Sequence, residues 1–600
     1  MQAAEYIAKG RGRIATIPDL PWRGALRFNL APYRRSLTRY ESALAYALLG
    51  IVAGLVSGLA VIAFERSIDE LALLAGVGNS GEGFEALPAT LRFALPAAGA
   101  IVLGVVFAML KPEDREVGIV HVISRLHNNY GVLPWRNALV QFCGGAVALA
   151  TGQSGGREGP GVHLGGAAGS LVGQGLKLPN NSLRVLIACG TAGGIAAAFN
   201  TPLAGVIFAM EVIIVEYTVA GFLPVMLAAV CSSLLSRQLG GGSEVFSIQG
   251  VELASLYEIP FIITLGLCCG AAAAMFIRSI TTVARFANIP VVLRFAMAGL
   301  LTGTIGIFVP QTLGVGYDTL GDVLYGQVAI GLLLLIAGTK LFATAASVGA
   351  GMPVGLIGPT LLIGACIGAF FGNLMQDFAP LASGGTTLYA TIGMAAAMGA
   401  VFAAPLAASL AVIELSQSTS IAMPALLAIV AAHLTNLTLF KQRSAHQSLL
   451  RQLQRQLPND PMTQLLHRTD VNAVIDASVV ELGTTVGSGV RSTLGLQVPN
   501  WCMISRDGEK LFLVNGRELL DWLESLEDTD DADITESSLR RWTVAGVPEQ
   551  ATLRQVLDIL RTRTVEAVFV QTRGRTGNRV LRGIVTRESI ERFTLAQLDN

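Results

Sequence analysis

A stretch of 400 residues that is almost free of charge limits what this chain can fold into. Of its 84 charged residues, 42 basic and 42 acidic, only 33 lie between residues 41 and 440, whereas 41 lie in the last 160 residues. Soluble globular proteins have about 25% charged residues, a proportion that only the last 160 residues reach. The sequence therefore predicts a membrane-embedded body followed by a soluble domain. It excludes a fully soluble enzyme and a disordered or fibrous chain.

Charge-free runs long enough to cross a bilayer recur in this body, and about 20 residues suffice for one crossing. Examples are 42–64, 185–210, 217–236, 259–277 and 295–317. Two further runs, 341–376 and 378–413, have 36 residues each, so each must contain a turn. Many runs are interrupted by some of the chain's 67 glycines. We therefore expect an all-α polytopic membrane protein of short, tilted and broken helices.

Basic residues cluster on both sides of the body. Residues 1–40 carry eight Lys and Arg against two acidic residues, and residues 441–455 carry four with no acidic residue. By the positive-inside rule, both termini are expected to be cytoplasmic. We divide the chain into a basic cytoplasmic segment (1–40), a transmembrane domain (41–450) and a cytoplasmic domain (456–600).

The transmembrane domain is internally duplicated. The segment Phe199-Asn-Thr-Pro-Leu-Ala-Gly matches Phe402-Ala-Ala-Pro-Leu-Ala-Ala, and each is followed by a glutamate, Glu211 or Glu414, at a constant offset of 203. Upstream, Gly156-Arg-Glu-Gly-Pro matches Gly355-Leu-Ile-Gly-Pro at an offset of 199, and each motif is followed by two matching glycines. We expect two repeat halves, roughly 41–236 and 258–450.

Segments interrupted by Gly and Pro at matching positions of two halves indicate a transporter site near the bilayer midplane. Proline is tolerated in the first helical turn, and glycine lets the backbone approach an ion closely. Helix N-termini carry free N–H groups and partial positive charge, so they favour anions. The two GxxGP motifs therefore predict two anion-facing helix starts, one from each half.

At these residues the sequence resembles the CLC family of chloride channels and chloride/proton antiporters. The block Gly156-Arg157-Glu158-Gly159-Pro160 matches the family's G(K/R)EGP motif, and Thr191–Gly205 is similar to its long helix–turn segment. Gly355–Pro359 occupies the place of the family's GxFxP motif. The resemblance implies an inverted-repeat fold, a homodimer in membrane lipid with one anion pathway per subunit, and the inner (plasma) membrane of a bacterium.

The resemblance also implies that Glu158 is the external gate, whose carboxylate occupies the anion site when ionised and leaves it when protonated. An ionisable residue inside the membrane is a functional candidate by default. The alternative interpretation is a structural ion pair between Glu158 and the adjacent Arg157.

Other positions depart from the family pattern and bear on selectivity. The serine of the family's GSGIP motif is replaced by Val117, the phenylalanine of GxFxP by Ile357, and the pore tyrosine falls on His446. Backbone N–H groups would then be the main anion donors, and selectivity for chloride over nitrate, bicarbonate or other anions would be altered. The predicted anion site comprises Val117, Gly118, Ile119, Arg157, Gly159, Gly355, Leu356, Ile357, Gly358 and His446.

The antiporters' internal proton-transfer glutamate is replaced by Val212, as in the family's channels. This favours a passive voltage-gated channel, or a proton route through another group such as Glu211 or His446. Glu211 and Glu414 can equally be structural, because the repeat places both alike at helix ends. Channel and antiporter both stay open from the sequence.

Other classes of function have weaker signals. Gly152-Gln-Ser154-Gly fits the GxSG serine motif of intramembrane proteases, with His433 as a conceivable base, but the glycine-rich approach to Gly156 explains the same residues, and we expect no enzyme. The seven cysteines and six histidines are scattered, so no metal site is expected. A net charge of zero gives no indication of nucleic-acid binding.

The last 145 residues alternate short apolar runs with helical patterns, which predicts an α/β domain. Gly583-Ile-Val-Thr586-Arg resembles the closing turn of a CBS module, and we expect a degenerate CBS-like pair at roughly 463–527 and 540–600. CBS pairs can bind adenine nucleotides, with Thr586 as the candidate contact. The alternative is an empty module for dimerisation and stability, so no cofactor is required.

Overall fold

The computed structural model describes residues 43–78, 83–215, 219–239, 253–378, 384–454, 465–466, 469–487, 498–506, 509–525, 531–563, 565–573 and 579–598. The basic segment 1–40 lies outside the described residues. The chain forms two compact units, one dominated by residues 40–457 and the other by residues 458–600.

The first unit is entirely helical among its described residues. The helices of its first half are α1 (Ala43–Leu74), α2 (Ala89–Met109), α3 (Gly118–Asn128), α4 (Trp135–Ala150), α5 (Glu158–Gly175), α6 (Asn180–Phe199), α7 (Pro202–Phe208) and α8 (Val219–Leu239). Those of its second half are α9 (Ile259–Ala284), α10 (Val291–Phe308), α11 (Tyr317–Leu324), α12 (Ile330–Ala350), α13 (Ile357–Phe378), α14 (Gly385–Phe402), α15 (Pro405–Ser416), α16 (Ala422–Leu434) and α17 (Ala445–Gln452).

Short π-helical segments, Ala209–Ile214 and Thr435–Leu439, continue α7 and α16, and single 3-10 turns occupy Gly83–Ala86, Pro112–Arg115, Leu256–Glu258, Arg285–Asn288 and Pro310–Thr312. Ten helices among the described residues are long and apolar enough to cross a membrane. Each of the two 36-residue runs contains a break, as predicted: α12 ends at Ala350 before α13 begins, and α14 ends at Phe402 before α15 begins.

The duplicated Phe-x-x-Pro segments break their helices in related ways. In the first half, α6 ends at Phe199, Asn200 takes a left-handed conformation with a φ of 57°, and Pro202 begins α7. In the second half, α14 ends at Phe402, Ala403 has a φ of 52°, and Pro405 begins α15. Proline fits these first-turn positions because its missing N–H would have no helical partner there.

The glycines that follow each GxxGP motif hold a pair of helices in close contact. A Cβ on Gly165 of α5 would lie 2.2 Å from the carbonyl oxygen of Gly190 on α6. In the second half, a Cβ on Gly364 of α13 would lie 2.2 Å from the carbonyl oxygen of Gly393 on α14. Small residues allow helix backbones to approach this closely in membranes. The repeat in the sequence is therefore a repeat in helix packing.

The second unit contains two small α/β modules, as predicted. The elements of the first are β1 (Val479–Leu482), β2 (Thr485–Gly487), β3 (Trp501–Arg506), β4 (Glu509–Asn515), α18 (Gly516–Ser525) and β5 (Asp531–Asp533). Those of the second are β6 (Val544–Pro548), α19 (Leu553–Thr562), β7 (Ala567–Arg573), β8 (Arg579–Thr586) and α20 (Arg587–Leu598).

The two modules have the same pattern of strand pairing. Strand β3 pairs in parallel with β1 and antiparallel with β4, and β7 pairs in parallel with β6 and antiparallel with β8. A separate antiparallel pair joins β2 and β5. Met503 and Leu513 of the first sheet pack with Phe569 and Ile584 of the second in one buried cluster. The first module is thus closer in structure to the second than its sequence indicated.

Candidate functional site

The two GxxGP motifs lie against each other. The backbone N–H of Gly156 donates to the carbonyl of Gly355 at 2.8 Å, and the N–H of Gly355 donates to the carbonyl of Gly156 at 2.7 Å. Helix α5 begins two residues after the first contact and α13 two residues after the second. A Cβ on Gly159 would lie 2.5 Å from the Cα of Gly355, so only glycine fits this crossing. The prediction that both motifs begin helices at one site is confirmed.

The carboxylate of Glu158 is fully buried at this crossing. Its Oε2 accepts a hydrogen bond from the backbone N–H of Gly358, in the first turn of α13, at 3.2 Å. Its Oε1 accepts a hydrogen bond from the hydroxyl of Tyr317. The N–H groups of a helix start favour anions, so the position that Oε2 occupies beside the N–H of Gly358 would also suit a small anion.

Arg157 lies between two carboxylates. Its Nε is 3.3 Å from Oε1 of Glu65 on α1 and 3.9 Å from Oε1 of Glu158. Its guanidinium also lies over the ring of Tyr317, 5.0 Å from the ring centroid. The nearer partner of Arg157 is therefore Glu65, and the gate candidate Glu158 is held mainly by Gly358 and Tyr317.

A buried lysine positions the segment that carries Tyr317. Lys340 on α12 has no exposed surface, and its Nζ donates to the carbonyls of Thr312 and Gly314 at 3.1 and 2.9 Å. The N–H of Gly314 donates in turn to the carbonyl of Gly152 at 3.2 Å. Neither Lys340 nor Tyr317 was predicted from the sequence. The signal for Lys340 was its charge inside an apolar helix, which marks a functional or structural site.

The segment around Val117, which replaces the serine of the family's GSGIP motif, also begins a helix, α3. Gly118 has a φ of 76°, a conformation that favours glycine. Its N–H, predicted to be an anion donor, donates instead to Oε1 of Gln141 at 2.7 Å. The Nε2 of Gln141 donates to the carbonyl of Pro353, in the loop before α13, at 2.9 Å. Gln141, which was not predicted from the sequence, therefore links the two halves by hydrogen bonds. It also accepts the N–H of Gly118 that was expected to face the anion.

Four further residues of the predicted anion site are buried. Ile119 is the second residue of α3, and the side chain of Ile357 lines an apolar cavity beside Phe199. Leu356 accepts hydrogen bonds from Thr360 through its carbonyl. His446, the second residue of α17, stacks on Phe402 with ring centroids 5.3 Å apart. The N–H donors predicted from the sequence were those of Gly118, Ile119, Leu356 and Ile357, whereas the N–H seen to bond the Glu158 carboxylate is that of Gly358.

Glu211 in the first half accepts hydrogen bonds from the second half, and Glu414 in the second half accepts them from the first. Oε2 of Glu211 accepts from the N–H of Ala407 in α15 at 2.8 Å, and its Oε1 accepts from Leu406. The two oxygens of Glu414 accept from the N–H groups of Leu203 and Ala204 in α7 at 2.9 and 2.8 Å. Each carboxylate therefore satisfies the free N–H groups at the helix start of the opposite half. The structural interpretation of this pair is supported by these contacts.

Two other candidates, Ser154 and Thr586, have structural partners. The hydroxyl of Ser154 bonds the hydroxyl of Thr344 at 2.9 Å, which supports no nucleophile–histidine pair. The hydroxyl of Thr586 accepts from the N–H of Ser589 at 3.2 Å and so caps α20. Among the described residues, no group of three His, Cys, Asp or Glu side chains is placed to hold a metal ion.

Fold and site together define a duplicated polytopic membrane protein whose paired helix starts hold one buried carboxylate. The family model described as voltage gated chloride channel matches residues 94–437, and the chain belongs to this family.

Two relatives and two solved structures illustrate the similarity. A ClcB-like protein of Ralstonia nicotianae is 32% identical over 65% of this chain and 92% of its own length. The H⁺/Cl⁻ exchange transporter ClcA of Vibrio cholerae is 28% identical over 72% of this chain and 91% of its own length. A slow cyanobacterial Cl⁻/H⁺ antiporter has a TM-score of 0.61 at 22% identity, over 68% of this chain and 98% of its own. A eukaryotic CLC transporter has a TM-score of 0.57 at 20% identity, over 93% and 98%. These two structural similarities establish the fold.

Proposed function

We propose that this protein transports chloride or a similar small anion across a membrane and that Glu158 is its gate. The observation that carries the proposal is the bond from the N–H of Gly358 to the buried carboxylate of Glu158, at the crossing of the two GxxGP motifs. The carboxylate is a tethered anion in a site built from neutral helix starts. A mobile anion must displace it to pass.

Protonation provides the displacement. An ionised Glu158 is favoured at the start of α13 by the helix dipole and the N–H of Gly358. A protonated carboxyl has lost the charge that these groups stabilise, so an anion competes with it more successfully. Each release of the gate thus links one protonation event to anion entry. The name of the Vibrio relative supports exchange of anions for protons as the mode of transport.

The altered residues around the site favour weaker discrimination among anions. Val117 offers no hydroxyl, and the N–H of Gly118 is bonded to Gln141. A site that relies on few fixed donors imposes little geometry on its ligand. We therefore expect nitrate or bicarbonate to compete with chloride in flux measurements; a strong preference for chloride over both would contradict this part of the proposal.

Reconstitution into liposomes tests the proposed gate. We expect the wild-type chain to release chloride from loaded vesicles, and Glu158→Ala to do so without dependence on pH. Glu70→Gln is the matched control, because Glu70 is an exposed carboxylate on α1 and should leave both rate and pH dependence unchanged. An absence of anion flux in wild-type vesicles would refute the proposed function. Unaltered pH dependence in Glu158→Ala would refute the gate.

We further propose that the chain functions as a homodimer with both termini cytoplasmic, in the inner (plasma) membrane of a bacterium. Family membership supports the dimer, and the basic residues in 1–40 and 441–455 support the orientation. Mass measurement of the detergent-solubilised protein and protease protection of vesicles would test the two parts separately.

For the tail, we propose a CBS-like pair that stabilises the protein without a bound nucleotide. The common pattern of strand pairing in the two modules supports a CBS-like pair. The hydroxyl of Thr586 already accepts from the N–H of Ser589, which supports a capping role for it and not a nucleotide contact. Calorimetry of the whole protein with ATP, ADP and AMP should show no binding heat. Saturable heat with any of them would contradict this proposal and restore Thr586 as a nucleotide contact.

A further inference from the structure

Two buried histidines from different helices form a bonded pair inside the membrane unit. His121 on α3 and His163 on α5 are 1% and 0% exposed. Nδ1 of His121 lies 2.8 Å from Nε2 of His163, and the rings stack with centroids 5.1 Å apart. A pair this close shares one proton in a nitrogen–nitrogen hydrogen bond.

The neighbours of the pair set the order of its protons. Arg125, one turn further along α3, donates its Nε–H to Nε2 of His121 at 3.1 Å. In the neutral ring one nitrogen is a donor and the other an acceptor, so the proton of His121 is on Nδ1 and is donated to His163. The proton of His163 is then on its own Nδ1. That buried atom has no hydrogen-bond partner among the described residues.

The pair connects a partly exposed carboxylate with the interior. Oε2 of Glu116 lies 3.6 Å from Nε2 of His121, and the Glu116 side chain is 27% exposed. At the inner end, Thr191 Oγ1 is a second buried polar atom without a partner among the described residues. It lies 3.2 Å from where a Cβ of Gly166, three residues after His163, would stand.

His163, the inner histidine of the pair, lies on α5, the helix that also carries the gate candidate Glu158. Glu158 precedes His163 by five residues on α5, a rise of about 7.5 Å along the helix axis. One or two water molecules can bridge such a gap where polar partners are available. Glu116, His121 and His163 thus follow one another in close contact, and His163 lies on the same helix as Glu158.

We propose that the His121–His163 pair relays protons between Glu116 and Glu158. The inference rests on the proposed function and supplies the proton route that the apolar side chain of Val212 cannot. It assigns His121 and His163 as proton carriers, outside the residues predicted from the sequence.

The transfer conserves protons at each step. Arg125 must first withdraw its Nε–H from Nε2 of His121. A protonated Glu116 then gives its O–H proton to the freed lone pair of Nε2, so its carboxylate regains the electron pair. His121 then gives its Nδ1–H to Nε2 of His163, and His163 releases its Nδ1–H to a water molecule on the path to Glu158. One proton enters and one leaves, and both imidazoles end neutral in the opposite tautomer. Rotation of both rings must then reorient their N–H groups before the next proton can pass in the same direction, because a proton moving back through the same bonds would undo the transfer. Histidine suits this task because its two nitrogens can accept and donate in turn.

Parallel fluxes of anions and protons in proteoliposomes test the relay. Under a chloride gradient, we expect His121→Gln and His163→Gln to reduce proton flux at least tenfold. Anion flux should stay within twofold of wild type, because an external gate can still take its proton from the outside solution and return it there. His127→Gln is the matched control: His127 is buried on the same helix, and its Nδ1 bonds the carbonyl of Ile123, not another histidine. It should keep the wild-type ratio of protons to anions.

Glu116→Gln keeps the test decisive if a buried substitution disturbs folding, because Glu116 is partly exposed. It should lower the proton-to-anion ratio with anion flux retained. Unchanged proton flux in Glu116→Gln, or in the two folded histidine variants, would overturn the relay. Wild-type vesicles that move anions but no protons would also overturn it while leaving anion transport intact. Vesicles without anion flux would instead refute the proposed function itself.

Discussion

The hydroxyl of Tyr317 should set how strongly the gate competes with an anion. It donates to Oε1 of Glu158, and the other carboxylate oxygen, Oε2, accepts from the N–H of Gly358. Tyr317→Phe removes this donor and leaves the ring and its contact with Arg157 in place. The ionised carboxylate then loses one of its hydrogen bonds at the site, and the site becomes easier for an anion to enter.

The size of the effect follows from the type of bond. A hydrogen bond to a charged group contributes about 1.5–3 kcal/mol, which corresponds to a factor of about 10 to 150 in an equilibrium constant. Because the carboxylate and the anion compete for one position, the apparent chloride affinity of Tyr317→Phe should rise by up to that factor at high pH. At low pH, where the carboxyl is protonated and does not compete, the variant and wild type should bind alike.

Isothermal titration calorimetry of the detergent-solubilised protein measures this directly. Chloride is titrated at pH 8 and at pH 5 into wild type, Tyr317→Phe, Glu158→Gln and the double variant. In the Glu158→Gln background, removal of the tyrosine hydroxyl should change affinity by less than about twofold, because the competing charge is gone. Equal affinities of wild type and Tyr317→Phe at pH 8, or an equal gain in the Glu158→Gln background, would refute the reasoning.

Three further predictions concern stability. Glu414→Ala removes the acceptor of two N–H groups at the start of α7 and should cost about 1–2 kcal/mol, seen as a lower thermal unfolding temperature in detergent; an unchanged temperature would contradict the capping role. Burial raises the pKa of Asp470 in the tail from 3.8 to about 7, so the folded state holds a proton that the unfolded chain loses. Hydrogen-exchange protection of the tail should therefore fall as pH rises from about 4 to 7, after correction for intrinsic rates, and Asp470→Asn should remove this fall; a wild-type profile in the variant would contradict it. Gly169→Ala places a Cβ 2.0 Å from the carbonyl oxygen of Leu186 and should abolish a monodisperse elution peak, whereas Gly175→Ala, with no neighbour within 4 Å, should not.

The local and repeated features of the structure could be predicted from the sequence. Charge density located the membrane unit, and the duplicated motifs predicted which helix starts meet. Glu158 was found because its motif is local and highly specific. In the tail, the alternation of short apolar runs with helical patterns predicted the α/β domain that the structure contains, because such patterns are local signals.

Contacts between distant segments could not be predicted. Tyr317 and Glu158 are 159 positions apart, and Gln141 and Pro353 are 212 apart. No periodicity or spacing rule connects such residues, so the donor to the gate and the occupant of the Gly118 N–H appeared only in the structure. The pairing of His121 with His163 likewise depends on how α3 packs against α5. Each histidine taken alone fits a buried packing role equally well.

The central claim is that the carboxylate of Glu158 occupies the position in which the transported anion binds. Anomalous diffraction from crystals of Glu158→Ala grown in bromide tests it most directly. We expect a bromide peak within hydrogen-bond distance of the N–H of Gly358, and no such peak in wild-type crystals at high pH. A peak at the same place in the wild type with Glu158 still bonded to Gly358, or a variant whose bromide lies away from the start of α13, would contradict it.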